Sequence, residues 1–366
     1  MKTGNRLILL VLVALFALLM GSMGAMAQDE DAMAEADAMI RAFSADEMPE
    51  GWTLPHSIGH VTNYLVHEWY QNETKAEAAT AAKYGIEFSI NDANLDLQAS
   101  LAAVDDYVAQ DVGALVFTPV DEAASSPAIR RVARDRVVVC EGTGVVGCAT
   151  LVAISDYTAG YQVGVWAGEY ALANFDGEAR ALDIGLPALT STVARSDGFA
   201  DGLHSVLPEG EIVQSVDGAG SKDVAVQVSA DALTANPDVN IIFGINDDSA
   251  LGGLQSYIAA GLDTDNLLVV GFGCEGIACK DALQEGGPYK VSAAMFPEYQ
   301  GLLLINAAVA VFNGVEPPPQ IYAPSMPMTL DNLFDYYTHE EDGTYTAMLD
   351  VISEIEIDIV EPPMEE

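Results

Sequence analysis

Asn63, His67, Trp69 and Tyr70 crowd into one short stretch, joining two aromatic rings to an amide and an imidazole. Glu141, Arg195, Asn246 and Met295 lie far from them in sequence. Residue types of this kind recognise polyhydroxylated molecules. Aromatic rings cover the apolar faces of a sugar ring, while amide, guanidinium and carboxylate groups pair with its hydroxyls. A buried Arg or carboxylate left without its partner is costly, so such a site selects sharply. Catalysis is not expected. The sequence has no G-x-S-x-G elbow, and His67-Glu68 lacks the second His of an H-E-x-x-H helix. His56 and His60 have helical spacing but straddle a strand start, which makes them incidental as metal ligands. No metal and no cofactor is expected. Each candidate also has a plainer role: Trp69 and Tyr70 suit a lobe core, Asn246 a helix cap, and Arg195 a structural ion pair.

The elements that must position these residues can be read from hydrophobic periodicity. Ile58–Thr62 reads as a strand, Tyr64–Tyr84 as a helix stopped by Gly85, Ile86–Ile90 as a strand and Leu95–Ala109 as a helix. Ala114–Thr118 is nearly all apolar, as a parallel strand covered on both faces demands. Helix Ala123–Asp135 and strand Val137–Cys140 follow. The rhythm then restarts, with strands at Leu151–Ser155, Ala179–Ile184, Glu211–Val216, Ile241–Ile245, Leu267–Phe272 and Lys290–Phe296. Helices are expected from about Tyr157, Thr192, Asp223, Asp248, Ala278 and Glu298. Repeated β-α units build doubly wound parallel sheets, and about ten strands would sit at the upper limit for one open sheet, so two sheets are the simpler solution. The fold class is α/β with two such lobes. Ligands of these sheets bind beyond the carboxyl ends of the strands, where the candidate residues fall.

The ends and the charge set the compartment. Lys2 and Arg6 precede an apolar run, Leu7–Met20, and Ala25-Met26-Ala27 forms a cleavage site, so residues 1–27 read as a signal peptide. The protein is expected in the periplasm or outside the cell. Residues 28–50, rich in Ala, Met, Asp and Glu, read as an acidic linker or frayed helix. The formal charge of −41 repels nucleic acid and anionic lipid, so neither is an expected partner. It also favours a monomer. Cys140/Cys148 and Cys274/Cys279 are two close pairs, and in an oxidising compartment local disulfides are the simplest of three connectivities. The tail after Asn313 changes character: Pro317-Pro318-Pro319 breaks the pattern. Residues 331–337 read as a return segment packed across a lobe, before a frayed acidic end at Glu361–Glu366.

Five segments, in order, resemble the type 1 periplasmic sugar-binding proteins, the ribose- and galactose-binding group of ABC importers. They are Gly113–Asp121 (GALVFTPVD), Ile154–Gly168 (ISDYTAGYQVGVWAG), Thr190–Gly202 (TSTVARSDGFADG), Leu233–Gly253 (LTANPDVNIIFGINDDSALGG) and Leu268–Phe272 (LVVGF). The resemblance implies two Rossmann-like lobes joined by a three-strand hinge, with the ligand in the cleft. It implies an N-terminal lobe of 51–155 plus about 296–325, and a C-terminal lobe of 156–295 plus about 326–360. Carried across, Trp69 and Tyr70 match the aromatics after the first strand, Arg195 the arginine of R-x-x-G-F, and Asn246 the asparagine of N-D-x-x-A-L-G. Glu141 stands where an acidic residue follows the fourth strand. Four positions depart from the pattern. Gly273 replaces the Asp usual after V-V-G-F, Met295 a polar residue, Gly142 an Arg, and Gly220 falls near a usual aromatic. The ligand expected is therefore sugar-like but larger, modified or partly apolar, and the partner an ABC permease. A sensory protein reporting to a membrane receptor is the alternative.

Overall fold

The computed structural model describes residues 30–363. The proposed signal peptide and the last three residues of the acidic end lie outside the described residues. From its amino end the chain runs α1 (residues 30–42), β1 (Ser57–Thr62), α2 (Glu68–Tyr84), β2 (Glu87–Asp92), α3 (Leu97–Ala109), β3 (Ala114–Phe117), α4 (Glu122–Val132), β4 (Val137–Glu141) and β5 (Leu151–Ala153). It continues as α5 (Asp156–Asn174), β6 (Arg180–Gly185), α6 (Thr190–Val206), β7 (Glu211–Asp217), α7 (Lys222–Ala235), β8 (Ile241–Gly244), α8 (Asp247–Ala259), β9 (Leu268–Gly273), α9 (Ile277–Glu285) and β10 (Tyr289–Ala294). The last part is α10 (Pro297–Phe312), β11 (Gln320–Tyr322), β12 (Met326–Met328), α11 (Leu330–Tyr336), β13 (Tyr337–His339), β14 (Tyr345–Ala347) and α12 (Leu349–Ile352).

Two six-stranded sheets result, ordered β11-β5-β4-β3-β1-β2 and β12-β10-β9-β8-β6-β7. The first is parallel throughout; the second is parallel except for the antiparallel edge strand β12. Central strands β3, β8 and β9 are buried along their whole length, as helices on both faces require. The α/β class and the two parallel-sheet lobes read from the sequence are the observed fold. The chain passes between sheets three times: after β5, after β10 and after β11. Most expected elements are displaced by only one or two residues. The first helix is shorter, because residues 63–67 form a turn and His67 caps α2 by accepting from the Trp69 N–H.

The C-terminal lobe depends on one close approach. At Gly160 and Gly164 of α5, and at Gly198 and Gly202 of α6, a Cβ would lie 2.2–2.3 Å from the opposing helix's backbone. Glycine lets the two axes close. That packing brings Asp156, at the start of α5, against Arg195 of α6.

Within the segment read as an acidic linker or frayed helix, residues 30–50 pack against the fold: α1 docks on the N-terminal lobe, with Ile40 and Phe43 buried in the main core. Asn306 of α10 donates to the Ile40 carbonyl (2.9 Å), Tyr84 donates to the Phe43 carbonyl (3.2 Å), and Arg41 donates to the Tyr322 carbonyl (2.7 Å). The acidic composition masked an apolar stripe that includes Ala36, Ile40 and Phe43. The tail after α12 reaches Thr158 of α5, whose hydroxyl bonds both the N–H and the carbonyl of Val360. Ile40→Ala should cost about 2–5 kcal/mol, read as a lowered denaturant midpoint; an unchanged midpoint would restore the linker reading.

Candidate functional site

The carboxyl ends of both sheets meet at one crevice. From the N-terminal lobe come the turn after β1, the start of α2 and the end of β4. From the C-terminal lobe come the starts of α6 and α8 and the loop after β9. The lobes touch here. Asn72 of α2 donates to the Glu275 carbonyl across the gap (2.8 Å), and His67 Nε2 lies 3.9 Å from Glu275 Oε1.

On the N-terminal side, Trp69, Glu73 and Glu77 share one inward stripe of α2, four residues apart. Glu77 Oε2 bonds His60 Nδ1 (2.7 Å), and His60 Nε2 bonds the Thr118 hydroxyl (2.9 Å). His60 is thus neither a metal ligand nor incidental: it is buried support beneath the crevice. Gln300 of α10 donates its one amide nitrogen to both Glu73 Oε1 (3.0 Å) and Glu141 Oε1 (2.8 Å). Burial pushes the Glu141 carboxyl from 4.5 up to about 7, against the pull of His60, Thr118 and Trp69 and with the push of Glu77. Glu73 is raised well above its ordinary value by burial, then by Glu141 and Glu77. Tyr70 sits among Glu141, Glu73, Asn63 and Arg195, with its phenol pushed upward mainly by burial. The Asn63 amide donates to the Pro119 carbonyl (3.3 Å).

On the C-terminal side, Arg195 Nε donates to Asp156 Oδ1 (2.7 Å), and its Nη1 donates to the Ile245 carbonyl (3.0 Å). The guanidinium lies over the Phe272 ring at 4.3 Å. These contacts hold it flat and leave it beside His67, Tyr70 and Glu275, each of which feels its charge. Burial lowers the His67 pKa most; Asp248 opposes this and Arg195 adds to it. Both disulfides close locally, Cys140–Cys148 and Cys274–Cys279. The second holds the loop carrying Glu275. Gly273 has φ +117°, and a Cβ there would fall 1.7 Å from Glu275 Oε2. Only glycine leaves that space, and Glu275 fills it with a carboxylate. Burial raises this carboxyl to about 7, with Arg195 and Lys280 pulling it back.

The structure therefore brings together His67, Tyr70, Glu141 and Arg195, with Trp69 beside Glu141 and Asn63 beside Tyr70. Asn246 is used differently. It caps α8 by accepting from the Ser249 N–H (2.8 Å) and donates to the Gly220 carbonyl (2.9 Å). Met295 is buried at the second crossing, its N–H bonded to the Gly273 carbonyl (3.0 Å). Glu73, Glu77, His60 and Gln300 are not singled out by sequence as site residues, whereas Asp156 and Glu275 fall in strand-end loops where a ligand is expected. The Trp69/Glu73/Glu77 spacing was the available signal for two of them.

Residues 58–316 match the sequence pattern of the periplasmic binding protein domain. The chain belongs to that family. Periplasmic binding proteins of this type are extracytoplasmic solute-binding components of ABC transporters, not enzymes. The chain is 26% identical to the ribose import binding protein of Bacillus subtilis over 290 residues, 75% of this chain and 90% of that protein. It resembles an ABC transporter solute-binding protein of Mycobacterium smegmatis, solved with bound glycerol, at 26% identity and TM-score 0.67, covering 76% of this chain and 96% of that one. A solute-binding protein of Actinobacillus succinogenes, solved with D-allose, shares the fold at TM-score 0.70 and 21% identity, covering 76% and 99%. No helix among the described residues is long and apolar enough to cross a membrane.

Glu141 couples the site to pH. Its folded pKa lies above its unfolded one, so its contribution to stability is full below about pH 4 and is lost as pH rises through 7. The groups around it are His60, Glu73, Glu77 and Tyr70. Glu141→Gln removes the buried charge and should raise the melting temperature of ligand-free protein at pH 8 by roughly 3 °C or more, with little change at pH 4. Equal shifts at both pH values would refute this titration.

Proposed function

We propose that this protein captures a small polyhydroxylated solute, a sugar or modified sugar, between its lobes and delivers it to an ABC permease. The carrying observation is the convergence of Tyr70 and Glu141 from one lobe with Arg195 and Glu275 from the other. A solute touching both lobes stabilises the shut form more than the open one, and that difference in contact drives closure. Trp69 and Tyr70 supply ring surface; Asn63, His67, Glu141 and Arg195 supply polar partners. Asn246 and Met295 hold the loop and the crossing that shape the cleft. The solutes named for the relatives, ribose, glycerol and D-allose, support a polyol as the ligand class. The signal peptide read in residues 1–27 would export the chain, and the acidic surface suits a monomer kept apart by repulsion.

Calorimetry over a panel of sugars and polyols should find a ligand bound at micromolar affinity or tighter, about −8 kcal/mol. Trp69→Ala should weaken that binding by more than about 1 kcal/mol, and Arg195→Ala by about 1.5–3 kcal/mol. Unchanged affinity in both variants would move the site elsewhere. Absence of heat across the whole panel, with no small molecule retained in native mass spectrometry, would reject solute capture.

A further inference from the structure

Three consecutive carbonyls in the loop after β9 are bonded from two directions. Lys280 of α9 donates to the Cys274 carbonyl (2.6 Å) and the Gly276 carbonyl (3.3 Å). Between them, the Glu275 carbonyl accepts from Asn72 Nδ2 of α2 (2.8 Å). The first two bonds lie within the C-terminal lobe; the third comes from the other lobe. The loop is also fixed from its own side by the Cys274–Cys279 disulfide and by the Cys274 N–H, which donates to Asp247 Oδ2 (2.8 Å). Asp247 is buried and held in turn by Ser292 (2.7 Å) and Tyr289 (2.5 Å), which both donate to its Oδ1. On α2, Glu68 and Asn72 are four residues apart and share a face. A Cβ added to Gly276 would lie 1.9 Å from Glu68 Oε2, so the Glu68 carboxylate rests against that glycine. Two neighbouring residues of α2's first turns therefore meet two neighbouring residues of the loop.

We infer that the Cys274–Cys279 loop is an interlobe latch and that Asn72 is its catch, biasing the lobes toward the shut form before any solute is bound. Moving the lobes apart must break the Asn72 bond, whereas the bonds from Lys280 and Asp247 and the disulfide travel with the C-terminal lobe. Because the loop is fixed beforehand, little conformational freedom is lost when Asn72 meets it. The acceptor is a main-chain oxygen, so the latch uses none of the Glu275 carboxylate. Asn72 is half-buried, and one net hydrogen bond there shifts the shut-to-open ratio about five-fold. A bias of that size leaves the solute as the main source of closure.

The test is a distance measurement by pulsed electron paramagnetic resonance on the mature chain, stripped of retained solute by unfolding and refolding with its disulfides intact. Spin labels go on Ala99→Cys and Ala188→Cys, both exposed and both following strands away from the crossings, where opening is widest. With the labels alone, about a tenth or more of the molecules should show the short distance of the structure. Asn72→Ala should lower the short-to-long ratio about five-fold. Asn72→Asp keeps the shape but sets an acceptor against the Glu275 carbonyl, so it should lower the ratio at least as far; a packing role for Asn72 would leave it unchanged. Circular dichroism checks folding, and should Asn72→Asp not fold, Asn72→Ala decides. A solute-free population wholly at the long distance, or a ratio unchanged in either folded variant, would overturn the latch. Solute capture would still stand, because no ligand enters the measurement.

Discussion

Carboxylates from two lobes share one crevice, and their burial is the constraint to which the rest of the structure answers. A carboxylate taken out of water must be paired, protonated or supplied with donors, and here Glu73, Glu141 and Glu275 are only partly supplied. Gln300 ties two of them together through one nitrogen. His60, itself bonded to Thr118, bonds Glu77 beneath. Under the proposed solute capture, a guest offering donors between the lobes would relieve that cost, and a closed form stabilised mainly by its guest is what such a protein needs.

Rigidity is concentrated where the polar groups must be aimed. The glycine-lined contact of α5 with α6 sets Asp156 against Arg195, and Phe272 backs the guanidinium. The Cys274–Cys279 loop is short and covalently closed, and Lys280 bonds its carbonyls from within, so Glu275 is presented on a firm platform. On the other lobe, α2 and α10 pack closely at Gly301, where a Cβ would lie 2.4 Å from the Glu73 carbonyl. Three crossings join the lobes. At the second of them Phe296 adopts a left-handed conformation (φ 50°), unusual for a bulky residue and in keeping with a sharp change of direction between sheets.

The accessory segments extend the N-terminal lobe and bridge the crossings. Helix α1 fills a face of the core that strands and α10 would leave open, and its Arg41 reaches the end of β11 just before the third crossing. The terminal segment returns to Thr158, beside the first crossing. Both additions lie near the hinge strands rather than at the crevice, so they bear on how the lobes are joined more than on what they hold.

The alternation of apolar strands with Ala- and Leu-rich helices was enough to name the α/β class, the two sheets and nearly every element, because burial on both faces writes a continuous apolar run into a parallel strand. The strand-end loops likewise pointed to Trp69, Tyr70, Glu141 and Arg195, since in such sheets that is where side chains face a ligand. Other outcomes depended on packing. Asn246 has the right type and position, yet its side chain is consumed by the α8 cap and Gly220. Glu73, Glu77, His60 and Gln300 look like ordinary surface or strand residues until α2 is laid on α10. Residues 28–50 read as solvated acid until α1 finds the core. Glu275 follows a glycine where a carboxylate was missed, and only the fold of the disulfide loop shows that its carboxylate occupies the space. Periodicity records which faces are buried. Which polar groups end up sharing one buried volume is decided when distant segments close on each other.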